Sequence, residues 1–303
     1  MADIHPRRSA LYMPGSKERA LEKGKELAAD VIIFDLEDAV SPEMKMAARD
    51  QVQQAVLKGG YGHRELVIRI NGLGTSWFED DVKSAISAKP DAILVPKISE
   101  AEDVTTIREA LKRANAPTDL AIWAMMETPL AMLNAGDIAA IGPHAAHPLT
   151  VFVMGTNDLA KETRAALMPG RAPMHAWLSM CVAAARAYDI DILDGVYNDY
   201  KNETGFIEEC EQGRDFGMDG KTLIHPSQIT PCNEIFCPSR EDVEWCEKVI
   251  EAFSLTENQG KGAITVDGKM VELLHKTMAE RTVALATAIK QQTTENAKEN
   301  AKI

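Results

Sequence analysis

A closed parallel (β/α)8 barrel, or TIM barrel, with a small C-terminal hairpin-plus-helix appendage is the fold class this sequence predicts. Three observations predict it: eight short β-branched apolar runs recur along the chain, helix-like stretches separate them, and the residues just past each run are polar. Runs that are apolar throughout suit strands buried on both faces, and parallel pairing requires crossover helices between them. Eight such units point to a closed barrel, and barrels place their chemistry at the C-terminal ends of their strands.

The runs lie at 10–13, 31–34, 66–70, 92–95, 121–125, 151–154, 190–193 and 221–224. Between them, 16–28 and 42–57 carry charged and apolar residues at helical spacing, and Ser41 followed by Pro42 reads as a cap and a first turn. No short fixed-period repeat is present, which argues against a solenoid. The pattern changes after Pro226. Residues 239–253 read as a helix, 255–262 as a polar linker, and 264–271 as two short strands about an Asp267-Gly268 turn. A helix from about Leu273 to Ile289 follows, and the remainder is too polar to pack. The expected organisation is a catalytic barrel over 1–254, a lid-like extension over 255–290 and a disordered tail over 291–303.

Composition narrows the function classes. The chain has 303 residues, 45% of them hydrophobic, and a net charge of -13, so its surface as a whole repels nucleic acid and anionic membranes. Only 5% of residues are aromatic, and none are interleaved with basic residues as a stacking platform. The opening MADIHPRRSALYMPG lacks the apolar core of a signal peptide, and no run of about 18 apolar residues exists to span a bilayer. A cytoplasmic protein is expected, with neither nucleic acid nor membrane as partner. The five cysteines are irregularly spaced and contain no C-x-x-C pair. Dinucleotide and P-loop glycine motifs and the G-x-S-x-G serine elbow are absent, which disfavours a Rossmann dehydrogenase, a P-loop kinase and an α/β-hydrolase.

The strand ends hold the chemistry-bearing residues. Run two leads into Asp35, Glu37 and Asp38, run three contains Arg69 and ends at Asn71, and run four ends at Pro96-Lys97. Runs five to eight end at Glu127, at Asn157-Asp158, at Asp194 with Asn198 and Asp199, and at His225-Pro226. Glu127 and Asp158 follow consecutive strands, which are neighbours in a barrel, so their carboxylates are expected to meet at one hard cation. Two oxygen ligands with open positions suit Mg2+, which keeps waters that substrate oxygens replace. A solvated charge or a helix N-cap is the plainer reading of either acid taken alone. Glu37 and Asp38 stand by as an outer layer around the ion.

Arg69 interrupts an otherwise apolar strand, and a buried guanidinium needs an anion. A structural ion pair with Glu37 or Asp38 meets that need, and so does a substrate carboxylate or developing enolate. After run one, Gly15-Ser16 leads into a helix carrying Lys17 and Lys23, which suits an anionic ligand but equally an ordinary turn and a solvated face.

These segments together resemble a known family. RRSALYMPGS, ADVIIFDLEDAV, VIRINGLGT, AILVPKI, ETP after run five, G-x-x-D after run six, DGKTLIHPSQI and GKGAITVDGKMV are similar, in that order from about Arg7 to Leu285, to the citrate lyase β subunit-like (HpcH/HpaI aldolase/citrate lyase) proteins. Within it, stand-alone malyl-CoA and citramalyl-CoA lyases and malyl-CoA thioesterases look nearest. The resemblance implies a TIM barrel in which Glu127 and Asp158 bind Mg2+, with Mn2+ as a substitute, and Arg69 contacts the acyl portion of a CoA thioester. It further implies that Tyr12, Lys17 and Lys23 contact CoA and that Asn157, Ile224 and His225 complete the site. It also implies a homo-oligomer, a trimer or hexamer, whose C-terminal hairpin and helix cover a neighbouring subunit's site and deliver an acidic residue there. The matching residue is Glu272, where the resembling lyases carry Asp.

The reaction so implied is cleavage of a 3-hydroxyacyl-CoA such as malyl-CoA or citramalyl-CoA into a 2-oxoacid and an acyl-CoA. Arg69, Glu272 and Asp38 are the expected catalytic residues. The alternative is hydrolysis of the same thioester, and the longer Glu272 side chain, shifted by about an ångström, is where the two outcomes part. A non-catalytic or acyl-carrier-dependent citrate lyase subunit is the third reading.

Overall fold

The computed structural model describes residues 4–142 and 145–300, the stretch 294–300 as backbone. Eight parallel strands close into a barrel in sequence order, each hydrogen-bonded to the next and β8 back to β1. They are β1 (Ser9–Pro14), β2 (Val31–Asp35), β3 (Glu65–Arg69), β4 (Ala92–Val95), β5 (Ala121–Met126), β6 (Leu149–Met154), β7 (Asp191–Asp194) and β8 (Gly220–Leu223). Around them run α1 (Glu18–Gly24), α2 (Lys45–Lys58), α3 (Phe78–Ala88), α4 (Ala101–Arg113), α5 (Pro129–Ala140), α6 (Thr156–Thr163), α7 (His175–Ala187), α8 (Glu203–Asp215) and α9 (Ile229–Ile235). Pro42 opens a separate 3-10 turn, Pro42–Met44, before α2 begins. Its lost N–H and fixed φ suit a first turn.

Strand alternation sorts side chains into two layers. Ala10, Val31, Ile33, Val67, Leu94, Trp123, Met125, Val151, Val153 and Leu193 pack inside the barrel. Their neighbours of opposite parity, among them Leu11, Ile32, Phe34, Ile68, Ile93 and Phe152, meet the helices. Side chains two apart share a face, so the inward sets Trp123–Met125, Val67 and Val31–Ile33 continue at the mouth to Glu127, Arg69 and Asp35.

Charge closes the opposite, N-terminal end. Arg7 donates from Nε and NH2 to Glu65 at 2.6 and 2.8 Å and from NH1 to Asp191 at 2.5 Å, linking the starts of β3 and β7. Its guanidinium lies 5.3 Å from the centre of the Trp123 ring in the interior.

Of the described residues, 7–236 form one compact unit, and 237–300 with 4–6 form a second. The boundary falls before α10 (Arg240–Ser254), earlier than residue 254, because α10 shares a core with the appendage. Val249 and Phe253 pack with Ile264 and Val266 of β9 (Ala263–Val266), Val271 of β10 (Lys269–Glu272) and Ala279 of α11 (Leu273–Asn300). The two strands form an antiparallel hairpin turning on Asp267 (φ 48°) and Gly268 (φ 79°), as the Asp-Gly pair requires. Where a polar tail was expected over 291–303, α11 stays helical to Asn300, and 301–303 lie outside the described residues. Low apolar content weakens packing without removing the helix preference of Lys, Gln, Glu and Ala.

Candidate active site

The C-terminal strand ends enclose a cavity of about 390 Å³, and among its lining residues are Tyr12, Asp35, Asp38, Arg69, Glu127, Asn157, Asp158 and Ile224. They arrive from six of the eight strands. β1 supplies Tyr12, β2 supplies Asp35 and the following Asp38, β3 supplies Arg69, β5 runs into Glu127, and α6, just past β6, carries Asp158. A larger cavity of about 600 Å³ adjoins it over β2 to β4, lined by Glu37, Lys45, Asn71, Trp77 and Lys97, with Asp38 lining both.

Arg69 is held mainly by an acid that sequence reasoning left without a role. Its Nε and NH2 donate to Asp35 Oδ1 and Oδ2 at 2.7 and 2.5 Å, a two-pronged pair at the interior face. Glu37 lies 3.0 Å from NH1, whereas Asp38, expected as a partner, stands at 3.9 Å and is largely exposed. The signal for Asp35 was parity: it follows Val31 and Ile33 on the inward face, while Glu37 and Asp38 lie past the strand end. Burial works against the Arg69 charge, yet Asp35 and Glu37 hold its pKa well above the ordinary value.

The Tyr12 ring lies 4.7 Å from the Arg69 guanidinium and lines this cavity beside the acids. Burial, opposed by Arg69, pushes its phenol well up, so it stays protonated and can donate. Met125 Sδ completes the surroundings of Arg69 at 3.8 Å from NH1.

Glu127 is 2% exposed, and its one hydrogen bond among the described residues comes from the Lys97 backbone N–H to Oε1 at 2.8 Å. Burial first, then the Glu37 and Asp158 charges, push its carboxyl up to about 8. Glu37 is likewise raised to about 7, by burial first, with Arg69 opposing and Asp38 adding. Several carboxylates in a shared pocket with too little positive charge form a setting that a divalent cation relieves. Among the described residues no three His, Cys, Asp or Glu side chains group as a metal cage, while the carboxylates of Glu127 and Asp158 are oxygen donors of the kind a hard ion takes. Glu127 and Asp158 are the residues that would hold it.

The remaining expected site residues are distributed more widely. Asn157 lines the cavity and exchanges amide hydrogen bonds with Asn198 at 3.1 and 2.8 Å. Ile224 lines it too and is 40% exposed. His225 is not among the lining residues; its Nδ1 accepts from the Ser227 N–H at 3.2 Å and its ring stacks on Tyr200 at 4.4 Å. Lys17 and Lys23 flank the first and last turns of α1 and are exposed, outside the cavity lining. Glu272 belongs to the hairpin unit, where its N–H donates to His275 Nδ1 at 2.9 Å. Asp194, grouped with the strand-end acids, faces away from the cavity. It is fully buried between Arg171 at 2.6 Å and Lys221 at 2.8 Å.

No helix among the described residues is long and apolar enough to cross a membrane. Residues 8–226 match the HpcH/HpaI aldolase/citrate lyase family. The chain is 50% identical over 286 residues to a (3S)-malyl-CoA thioesterase of Cereibacter sphaeroides, covering 94% of this chain and 96% of that one. It is 28% identical to the mitochondrial citramalyl-CoA lyase of Homo sapiens, covering 94% and 87% respectively. In structure it is similar to protein CitE from Mycobacterium tuberculosis in complex with magnesium, acetoacetate and coenzyme A. The TM-score is 0.72 at 27% identity, covering 92% of this chain and 97% of that one.

Proposed function

The chain belongs to the HpcH/HpaI aldolase/citrate lyase family, and from that premise we propose that it is a Mg2+-dependent enzyme hydrolysing the thioester of malyl-CoA or a close 3-hydroxyacyl-CoA. The observation that carries this reading is 50% identity over nearly the whole chain to a malyl-CoA thioesterase, against 28% to a citramalyl-CoA lyase. Carbon–carbon cleavage, placed first on motif grounds, becomes the second reading.

Mg2+ bound by Glu127 and Asp158, with Mn2+ as its substitute, supplies Lewis acidity toward substrate oxygens. Arg69, already fixed by Asp35, faces the thioester carbonyl and stabilises the negative charge that develops on its oxygen. Because Asp35 sets the guanidinium in place beforehand, little reorganisation is required as charge forms. Tyr12 donates its phenol proton as a hydrogen bond in the same cavity. Asp38, which lines both cavities, takes a proton from the water as its oxygen bonds the carbonyl carbon, the C–S bond then breaks, and Glu272 of a neighbouring subunit's hairpin, the second acid/base, gives a proton to the departing CoA sulfur. Lys17 and Lys23 contact the CoA portion, with Asn157, Ile224 and His225 around the acyl end. The protein works as a cytoplasmic homo-oligomer.

The lyase reading uses the same groups, with a base taking the proton of the substrate 3-hydroxyl and Arg69 stabilising the enolate released. The family it shares with a citramalyl-CoA lyase favours it. One assay separates the two: purified protein with malyl-CoA and Mg2+, glyoxylate and free thiol measured together. Thiol without glyoxylate is the expected result. Glyoxylate without thiol makes the protein a lyase, and neither product across several hydroxyacyl-CoAs overturns both readings in favour of a binding subunit. Asp158→Ala removes metal-dependent turnover if the metal assignment holds.

A further inference from the structure

Lys97 follows β4 with φ 59°, a left-handed backbone state that side-chain-bearing residues adopt only at a cost. Something must hold it there, and the adjoining loop shows what does. Ser99 Oγ donates to the Lys97 carbonyl at 3.2 Å and lies 2.8 Å from Thr128 Oγ1. Since the single Ser99 hydroxyl proton goes to that carbonyl, Thr128 donates to Ser99, and Thr128 Oγ1 in turn accepts the Ala131 N–H at 3.0 Å as the N-cap of α5. Asn134 of α5 adds a bond to the Ser99 carbonyl at 3.0 Å. The loop after β4 is thereby fastened to the start of the helix after β5.

The consequence falls on Glu127. The turned Lys97 backbone directs its N–H to Glu127 Oε1 at 2.8 Å. On the far side, Gly155 leaves room that no other residue leaves: a Cβ there would stand 2.4 Å from Glu127 Cβ and 2.5 Å from Oε2. One oxygen is therefore bonded toward β4, and the other lies toward β6, the strand that leads to Asp158.

We propose that the Ser99–Thr128 hydroxyl pair and the left-handed Lys97 it secures are positioning residues for Glu127, setting its free oxygen for the divalent cation. The proposal rests on the reading of Glu127 as a metal ligand. A ligating carboxylate that is itself hydrogen-bonded binds from a fixed orientation, and removing such an outer partner commonly weakens metal affinity.

The test is Mn2+ affinity of the full-length protein, read from the electron paramagnetic resonance of free Mn2+, with thermal melts confirming the fold. Ser99→Ala and Thr128→Val are each expected to weaken Mn2+ binding about 10- to 100-fold, the usual loss for an outer partner. Thr128→Ser, which keeps the hydroxyl, is expected to bind as the wild type does. Glu127→Gln serves as reference and should bind least. If Glu127→Gln loses the ion while Ser99→Ala and Thr128→Val keep wild-type affinity, the latch is overturned and the ligand reading survives. If Thr128→Ser binds as weakly as Thr128→Val, the hydroxyl is not the cause. Wild-type affinity in Glu127→Gln overturns the ligand reading and the latch with it.

Discussion

Asp35 grips Arg69 through both carboxylate oxygens, at 2.7 and 2.5 Å, at the interior mouth of the barrel. Asp35 takes Nε and NH2, and NH1 points instead to Glu37 at 3.0 Å and Met125 Sδ at 3.8 Å.

Asp35→Ala should destabilise the fold by about 3 kcal/mol, toward the lower end for a broken buried pair because Glu37 remains. Urea unfolding measures this. The same change should lower kcat more than it raises KM, since it loosens a group that works on developing charge.

Mg2+ affinity should rise with pH. The folded Glu127 carboxyl titrates at about 8, above its ordinary value of 4.5, so the metal-free fold keeps an extra proton between those limits. Two outcomes follow: metal-free stability declines as pH rises from about 4.5 toward 8, and Mg2+ binding releases protons over that window. Calorimetry in buffers of different ionisation enthalpy measures the release. Proton-neutral binding at pH 6 would remove Glu127 from the ligand set.

Glu272→Asp should raise the ratio of glyoxylate to thiol formed from malyl-CoA. The shorter arm withdraws the carboxylate by about an ångström, a shift that alters rates by up to about a hundredfold when the group transfers protons. An unchanged ratio would separate this residue from the choice of product.

Lys221→Ala should cost about 3–5 kcal/mol of stability and leave kcat nearly unaltered. Lys221 is fully buried on β8, bonded to Asp194 at 2.8 Å and Glu209 at 2.7 Å, and is absent from the cavity lining. A large fall in kcat at full folding would place this cluster in the chemistry.

The barrel was legible because its strands are apolar on both faces, and all eight lie within about two residues of their expected places. Strand ends were legible as a class, but the direction of each acid was not. Asp35 and Asp194 both close apolar runs, yet one is of inward parity and the other outward. Counting by twos from Val31 or Leu193 separates them once strand registers are known. Lys97 was visible only as a strand-end residue without a role, because its contribution is a backbone N–H, to which side-chain chemistry gives no clue. The boundary at residue 236 was hidden for a different reason: α10 has the pattern of any amphipathic helix, and only Val249 and Phe253 meeting the hairpin reveal its allegiance.

Arg7 stitches β3 to β7 over Trp123 and stops the barrel at its base. Side chains pack the interior, so among the described residues the strand-end mouth is the doorway to the cavity. On the hydrolytic reading, the entering thioester, the water that cleaves it, the freed acid and the departing CoA all use that doorway in turn. Traffic then sets the pace: the bulkier product obstructs the next arrival, so free CoA should compete directly with substrate, and its exit governs turnover once hydrolysis is fast.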